Sequence, residues 1–291
     1  MNPFLAVSYA LTSAVLFAAF SVLARKALVG GTAYAGVVIS LLVGMPMLGG
    51  LSLVFSSWEK LTLEAAAWFA LGGLLAPGFG RLLLFLGIRY VGVGRTMPLI
   101  TVTPFFSTLL GVAFLGERPG PAVWVGTASV VAGCALLSLK PPGDAGWRRV
   151  FLLLPLGHAL VLAVASGIRR HAMVLMPDPV IGALIGSVAS LPSVHLMGRF
   201  LPPEERFRVD RSAILRFLLM SVVNTLGFLL FFTSFRYGEV WLVVPLGYSA
   251  PLFALLFARF WLREEERVTW HKWGGAVLLF LGMAAIVWQA A

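Results

Sequence analysis

Long apolar blocks alternate with short polar stretches along the whole chain, a pattern typical of a protein that crosses a membrane many times. Each block is close to the roughly 20 residues that a helix needs to span a hydrocarbon layer about 30 Å thick. The pattern predicts ten helices, near 4–24, 33–55, 65–88, 95–115, 121–139, 150–168, 179–198, 213–235, 239–262 and 269–289. The predicted fold class is therefore an all-α integral membrane protein.

Two regions of the chain repeat each other 147 residues apart. Without a gap, 14 of the 38 positions in 80–117 are identical to their counterparts in 227–264. The repeated residues include Gly80, Pro98, Pro104 and Glu117, which recur as Gly227, Pro245, Pro251 and Glu264. Because each copy contains an odd number of spans, the copies must be inverted, as in many secondary transporters. The sequence predicts a first five-helix repeat over 1–140, a linker over 141–149 and a second repeat over 150–291.

Composition and charge place the chain in a bilayer. It is 59% hydrophobic and 12% charged, against about 25% charged residues in soluble domains, and its mean hydropathy is +0.94. The net charge of +10 is spread over short loops, which favours contact with lipid headgroups over nucleic-acid binding. Cys134 is the single cysteine, so an internal disulfide and a cysteine-based metal cluster are excluded.

The basic residues predict the orientation in the membrane. Of 22 Lys and Arg residues, Arg81 lies inside a predicted span, and the loops on one side hold Lys60, Arg118, Arg169, Arg170 and Arg236. The remaining 16 lie in the loops of the other side. The positive-inside rule makes that second side cytoplasmic. We therefore predict a protein of the cytoplasmic (inner) membrane with both termini outside.

Several short motifs give the chain a family resemblance. They are Arg89-Tyr90-Val91-Gly92, Pro104 and Leu115-Gly116-Glu117-Arg118 in the first half, and Arg236-Tyr237-Gly238, Pro251 and Leu262-Arg263-Glu264 in the second. With these motifs the chain resembles the drug/metabolite transporter superfamily, in its ten-helix EamA branch, and is similar to the amino acid exporters there. The resemblance implies a two-fold pseudosymmetric bundle around a central cavity that takes amino acids, other small metabolites or drugs. Two fused halves also make a functional monomer sufficient, unlike the unfused relatives.

The acidic residues bear on the transport mechanism. All 12 Asp and Glu residues fall in predicted loops or at helix ends, whereas a carboxylate deep in a span is the usual carrier of protons or ions. The related small multidrug-resistance transporters depend on an acidic residue in the first helix, and this first helix has none. The sequence therefore predicts alternating access without a membrane-embedded carboxylate.

Polar residues within the predicted spans are the first candidates for contacting a substrate. Arg81 is expected either to anchor a substrate carboxylate through its forked guanidinium or to reach toward the headgroups. For Asn224 two roles are open: a contact to a substrate in the cavity, or a hydrogen bond between helices. Ser21, Thr101 and Thr103 would add hydroxyl groups to the same cavity.

Aromatic residues and helix breakers complete the candidate site. Phe17, Phe79, Phe228 and Tyr248 are expected to form apolar cavity walls, with packing against lipid as the alternative for the phenylalanines. Pro98, Pro104, Pro245 and Pro251 would each kink the fourth or ninth helix, and could also act as hinges. Gly80 and Gly227 are expected to allow close helix packing.

The function that these features predict is secondary transport. The chain would export small amphipathic metabolites, with amino acids including aromatic ones as the leading class. A multidrug or organic-cation exporter is the alternative within transport, and a membrane scaffold or a lipid-modifying enzyme is the alternative of another class. No catalytic residue, metal ligand or cofactor is predicted, because the sequence lacks paired carboxylates, a histidine cluster and a nucleophile constellation.

Overall fold

The computed structural model describes residues 2–91, 93–138, 149–257 and 270–290, and almost all of them are helical. The helices of the first half are α1 Pro3–Ala27, α2 Ala33–Phe55, α3 Leu63–Gly73, α4 Gly80–Val91, α5 Val93–Ile100, α6 Thr103–Leu115 and α7 Pro121–Ser138. Those of the second half are α8 Leu153–Leu175, α9 Pro179–Ala189, α10 Leu191–Phe200, α11 Ile214–Tyr237, α12 Val240–Gly247, α13 Ala250–Phe257 and α14 Trp270–Ala290. Within the described ranges extended pairing is limited to one isolated bridge between Gly31 and Val209.

The predicted all-helical membrane fold is confirmed. Seven helical segments of the described residues are long and apolar enough to cross a membrane. Three shorter apolar segments, Thr103–Leu115, Pro121–Leu137 and Val240–Ala254, lie where the fourth, fifth and ninth spans are predicted. The predicted linker lies outside the described residues except for Arg149. The number of ten crossings and the repeat boundaries stay predictions.

Glycine contacts between α7 and α14 show the relative direction of the two halves. A Cβ atom on Gly126 would lie 2.7 Å from the carbonyl oxygen of Gly282, and one on Gly133 would lie 2.6 Å from that of Gly275. Residue numbers rise along α7 while they fall along α14, so the two helices are antiparallel. Because α7 and α14 are the fifth spans of their repeats, the halves are inverted relative to each other.

The helix contacts obey the same two-fold relation. In each half, the first span packs against the third span of the other half: α1 against α11, and α8 against α3 and α4. The first span also contacts the fourth span of the other half, α1 with α12 and α13, and α8 with α5 and α6. The second spans meet as α2 and α9. The two halves are therefore interleaved, and the space between them is lined by both.

The loops separate into two faces, as the alternation of spans requires. On one face, which we call the basic face, the loop 28–32 meets the loop 201–213: the Thr32 amide donates to the Arg208 carbonyl at 3.0 Å, and Arg216 donates to the Lys26 carbonyl. On the opposite face, which we call the far face, the Ser56 hydroxyl donates to Asp178 at 3.0 Å. Loops that the sequence places on the same side of the membrane thus contact each other on both faces. The assignment of the basic face to the cytoplasm stays a prediction.

The structure corrects the predicted end of the sixth span. α8 continues to Leu175, seven residues past the predicted end at 168, because the apolar residues from Ala172 to Leu175 follow directly after two arginines and one histidine. Arg169 and Arg170 therefore lie within a helix and not in a far-face loop. This places an unforeseen guanidinium inside the bundle.

Candidate functional site

The third span of the first half is broken at its centre. Between α3 and α4 the segment Leu74–Phe79 is a wide π-helical turn in which Ala76 is extended (φ −147°, ψ 118°). Proline explains the break, because Pro77 has no amide hydrogen and disfavours helical geometry at the residue before it. The equivalent helix of the second half, α11, runs unbroken from Ile214 to Tyr237 with Asn224 at the place of Pro77.

Side chains of the second half bind the carbonyl groups around this break. Arg169 donates from Nη2 to the Ala76 carbonyl, and Nδ1 of His158 lies 2.7 Å from the Gly80 carbonyl. Ser193 donates to the Leu74 carbonyl at 3.4 Å. Non-helical backbone inside a membrane protein is tolerated where neighbouring groups satisfy it. Side chains of the second half therefore hold this break of the first half in place.

The fourth spans of the two halves are interrupted at matching positions. Helix α5 gives way to α6 at Thr101–Val102, and α12 gives way to α13 at Tyr248–Ser249, again 147 residues apart. The predicted kink residues flank these points: Pro98 lies in α5, Pro104 in the first turn of α6, Pro245 in α12 and Pro251 in the first turn of α13. A role as hinges stays a prediction.

The interrupted spans enclose a cavity of about 660 Å³ between the halves, which we call the central cavity. It lies within the range of about 300–1,000 Å³ typical of small-molecule sites. Seven of the nine residues predicted to contact a substrate line it, namely Phe17, Ser21, Arg81, Thr101, Asn224, Phe228 and Tyr248, and so does the predicted kink residue Pro251. The structure thus brings together most of the candidates, from five of the predicted spans, and their contact with a substrate stays a prediction.

Two predicted site residues lie elsewhere. Phe79 is 45% exposed and is not among the lining residues, because the wide turn before α4 shifts the helical phase and carries its ring outward. Thr103 is fully buried, and its hydroxyl donates to the Ile100 carbonyl at 2.7 Å, which stabilises the interruption between α5 and α6. Gly80 and Gly227 face packed neighbours, since a Cβ would lie 2.6 Å from Leu162 and 3.2 Å from Leu16, respectively.

Arg169 is a charged cavity residue that the sequence analysis did not place in the site. Only 5% of it is exposed, and its guanidinium lies over the rings of Phe228 and Phe232, at 5.3 and 5.4 Å from the ring centroids. It lines the same cavity as Arg81. Among the described residues that line this cavity, none is acidic, so the site is positively charged.

The cavity lies toward the basic face, and the other end of the bundle is closed by packed side chains. The lining residues of α1 are Phe17, Phe20 and Ser21, in the half of that helix nearer the basic face. Toward the far face the buried apolar residues form what we call the far-face cluster, which includes Phe69, Met173, Phe232, Phe235, Val240, Val243 and Val244. No lining residue of α1 precedes Phe17.

Glu117 reinforces the closed end. It follows the end of α6, is buried, and accepts hydrogen bonds from the amides of Val240 at 2.8 Å and Trp241 at 3.2 Å, at the start of α12. Burial raises the pKa of Glu117 to about 7, and the two amide hydrogen bonds oppose that shift. Glu117 lies at a helix end, as the sequence indicates, but it is buried and joins the two halves through these hydrogen bonds.

Comparisons with known proteins agree with this architecture. An uncharacterized transporter of Bacillus subtilis is 26% identical over 250 residues, which are 84% of this chain and 81% of that protein. A riboflavin transporter of Rhizobium johnstonii is 29% identical over 196 residues, 58% of this chain and 64% of that protein. A crystal structure of a protein with 17% identity has the same fold, with a TM-score of 0.78 over 96% of this chain and 95% of that one.

A family model also matches both halves of the chain. The matched residues are 4–139 and 152–288, one match for each of the two inverted sets of helices. The chain therefore belongs to the EamA-like transporter family of the drug/metabolite transporter superfamily and is a membrane transporter.

Proposed function

We propose that this transporter carries small amphipathic metabolites with an anionic group and an aromatic or apolar part, with aromatic amino acids as the leading class. The observation that carries the proposal is the combination of guanidinium groups and aromatic walls in one cavity between the halves. A carboxylate pairs with a guanidinium through two parallel hydrogen bonds. Arg81 supplies such a donor where the broken span opens into the cavity.

Aromatic side chains suit the apolar part of such a solute. Phe17 and Phe231 are in edge-to-face contact at 6.3 Å, and both line the cavity with Phe228 and Tyr248. Aromatic rings prefer such offset or edge contacts with other rings. The name of the riboflavin transporter from Rhizobium johnstonii also points to an aromatic solute, so riboflavin belongs in the test.

The charge of the cavity argues against the alternative substrate class. An organic cation would have to enter beside the guanidinium groups of Arg81 and the buried Arg169, with no acidic residue among the described lining residues. Like charges in a poorly solvated site repel strongly. The cavity between the halves also argues against a purely structural role, since a scaffold needs no such space.

Alternating access follows from the inverted halves. The central cavity lies toward the basic face, while the far-face cluster and Glu117 close the other end. Inverted repeats can exchange these two arrangements, so that rocking of the interrupted spans opens the far face and closes the basic face. Substrate would then be released on the side opposite to the one where it was bound.

The natural cysteine offers a test of this exchange. Cys134 lines the cavity and is the single cysteine of the chain. Glu117→Ala removes the acceptor of two amide groups. At a pH above the Glu117 pKa of about 7 the carboxylate is ionised, and each hydrogen bond to a charged group is worth about 1.5–3 kcal/mol. We expect a thiol reagent that cannot cross the membrane to label Cys134 from the far face at least about tenfold faster in this variant. Equal rates in Glu117→Ala and in the control Glu59→Ala, an exposed acid of the same face, would contradict the closed arrangement.

The transport proposal is tested by counterflow in liposomes. Protein is reconstituted with internal phenylalanine, and entry of labelled phenylalanine is measured with external tryptophan, 3-phenylpropionate, riboflavin, phenethylamine or glucose as competitors. We expect tryptophan and 3-phenylpropionate to compete and phenethylamine, the cationic analogue, to fail.

The outcomes separate the proposed classes. Exchange of labelled 3-phenylpropionate in liposomes loaded with 3-phenylpropionate, without exchange of phenylalanine, would keep the anionic class and exclude amino acids. Competition by phenethylamine alone would overturn the proposal in favour of a cation exporter. Inactivity toward all aromatic competitors, in protein that remains folded in a thermal scan, would overturn it altogether.

A further inference from the structure

Arg169 has hydrogen-bonding capacity that its structural contacts do not use. One nitrogen, Nη2, donates to the Ala76 carbonyl, whereas the buried Nε has no hydrogen-bond partner. The guanidinium is held between Phe228 and Phe232, so its plane and position are fixed by packing. A buried donor without a partner is costly unless a ligand satisfies it.

Arg81 presents a second such donor close by. Its buried Nη1 also lacks a hydrogen-bond partner. Arg81 follows Pro77 by four residues, about one helical turn, while Arg169 binds the carbonyl of Ala76, the residue just before that proline. Ala76, Pro77, Arg81 and Arg169 all line the central cavity. Both arginines therefore line the central cavity beside the break in the third span.

The positive charge of Arg81 and Arg169 is not balanced by acidic residues of the described cavity lining. No Asp or Glu is found among the described residues of the cavity lining, and an ionised group within a membrane protein is normally paired. Two buried cations without a counterion are unfavourable, and a singly charged carboxylate would neutralise one of them. A second negative charge on the ligand would neutralise the other.

We infer that Arg81 and Arg169 together form a site for a dianionic oxygen group, so that the preferred solutes carry either two carboxylates or one phosphate monoester on an aromatic or apolar body. This inference deepens the proposed function and rests on it. Arg81 binds the first negative charge and Arg169 the second. The rings of Phe228 and Phe231 lie beside the apolar part of the solute.

Equilibrium binding to the purified full chain tests the inference. The probes are 3-phenylpropionate, 2-phenylsuccinate and phenyl phosphate, at one ionic strength and at a pH where the last two are dianions. We expect 2-phenylsuccinate, phenyl phosphate or both to bind at least about tenfold tighter than 3-phenylpropionate. Whichever of the two binds tighter identifies the dicarboxylate or the phosphate ester as the better fit.

Substitution assigns the second charge to Arg169. In Arg169→Gln we expect the dianions to lose about tenfold in affinity, which brings them to the level of 3-phenylpropionate. In the control Arg199→Gln, an exposed residue of α10, all three affinities should stay unchanged. If Arg169→Gln does not fold, the comparison of the three probes in the unaltered protein still decides the question.

Equal affinity for the monoanion and the dianions in the unaltered protein would overturn the inference and leave the proposed function standing. A dianion preference that persists unchanged in folded Arg169→Gln would also overturn it. Failure of all three probes to bind would overturn both this inference and the proposed anionic class.

Discussion

We expect Arg81→Met to abolish most transport while leaving the protein as stable as before, or more stable. Arg81 has a buried Nη1 without a partner, so the unliganded protein carries an unsatisfied charge. Replacing such a group by an apolar side chain of similar length is often neutral or stabilising. Removing one partner of a buried ion pair costs about 2–5 kcal/mol of binding. Substrate affinity should therefore fall by at least about tenfold.

The measurement combines counterflow of the labelled substrate with a thermal unfolding scan of the same preparation. Arg199→Met, on an exposed position of α10, removes a charge without touching the cavity and should change neither result. Transport at the unaltered rate in Arg81→Met would mean that Arg81 serves only the backbone or the headgroups. A lower unfolding temperature would show that Arg81 stabilises the fold instead of the substrate.

The all-helical membrane fold and the inverted relation of the halves could be predicted, because both follow from the apolar pattern and the internal repeat. Hydrophobic blocks of the right length fix where helices cross, and the spacing of 147 residues fixes which parts of the halves correspond. The interruptions at Thr101–Val102 and Tyr248–Ser249 show how far the repeat reaches, since even the irregular backbone is duplicated. The prolines beside these two points are the sequence feature that indicates the interruptions.

The site could be predicted only in part, because facing directions depend on local backbone geometry. The sequence predicts Phe79 in the cavity, but the wide turn ending at this residue changes the direction in which its side chain points. The sequence predicts a loop at Arg169, because two adjacent arginines and a histidine resemble the end of a span. The apolar residues 172–175 that follow them were the available signal, and they carry α8 one turn further.

The other features of the site could not be predicted, because they depend on contacts between residues that are far apart in the sequence. Nothing in the neighbourhood of Arg169 in the sequence indicates that it binds the carbonyl of Ala76, 93 residues away. Likewise, the burial of Glu117 comes from its contact with the first turn of α12, which belongs to the other half. Such pairings arise when two halves interleave, and a repeat alone does not show which residues they join.

The fold itself should be most sensitive at Gly73, at the end of α3. A Cβ there would overlap the carbonyl group and Cα of Gly186 in α9, so helix backbones meet without an intervening side chain. Overpacking usually costs about 1–3 kcal/mol, and more when nothing can move aside. We expect Gly73→Ala to reach the upper part of that range, because the obstacle is backbone, and to lower the unfolding temperature and the yield of monodisperse protein.

Gly49→Ala is the matched control, since a Cβ on Gly49 in α2 would meet nothing within 4 Å. Alanine is a better helix former than glycine by about 0.8–1.0 kcal/mol, so this variant should be as stable as the unaltered protein or more so. Equal stability of the two variants would show that α3 and α9 separate without cost. Because Gly73 directly precedes the break that holds Ala76 against Arg169, any folded Gly73→Ala protein should also lose substrate affinity, which a remote packing defect would not cause.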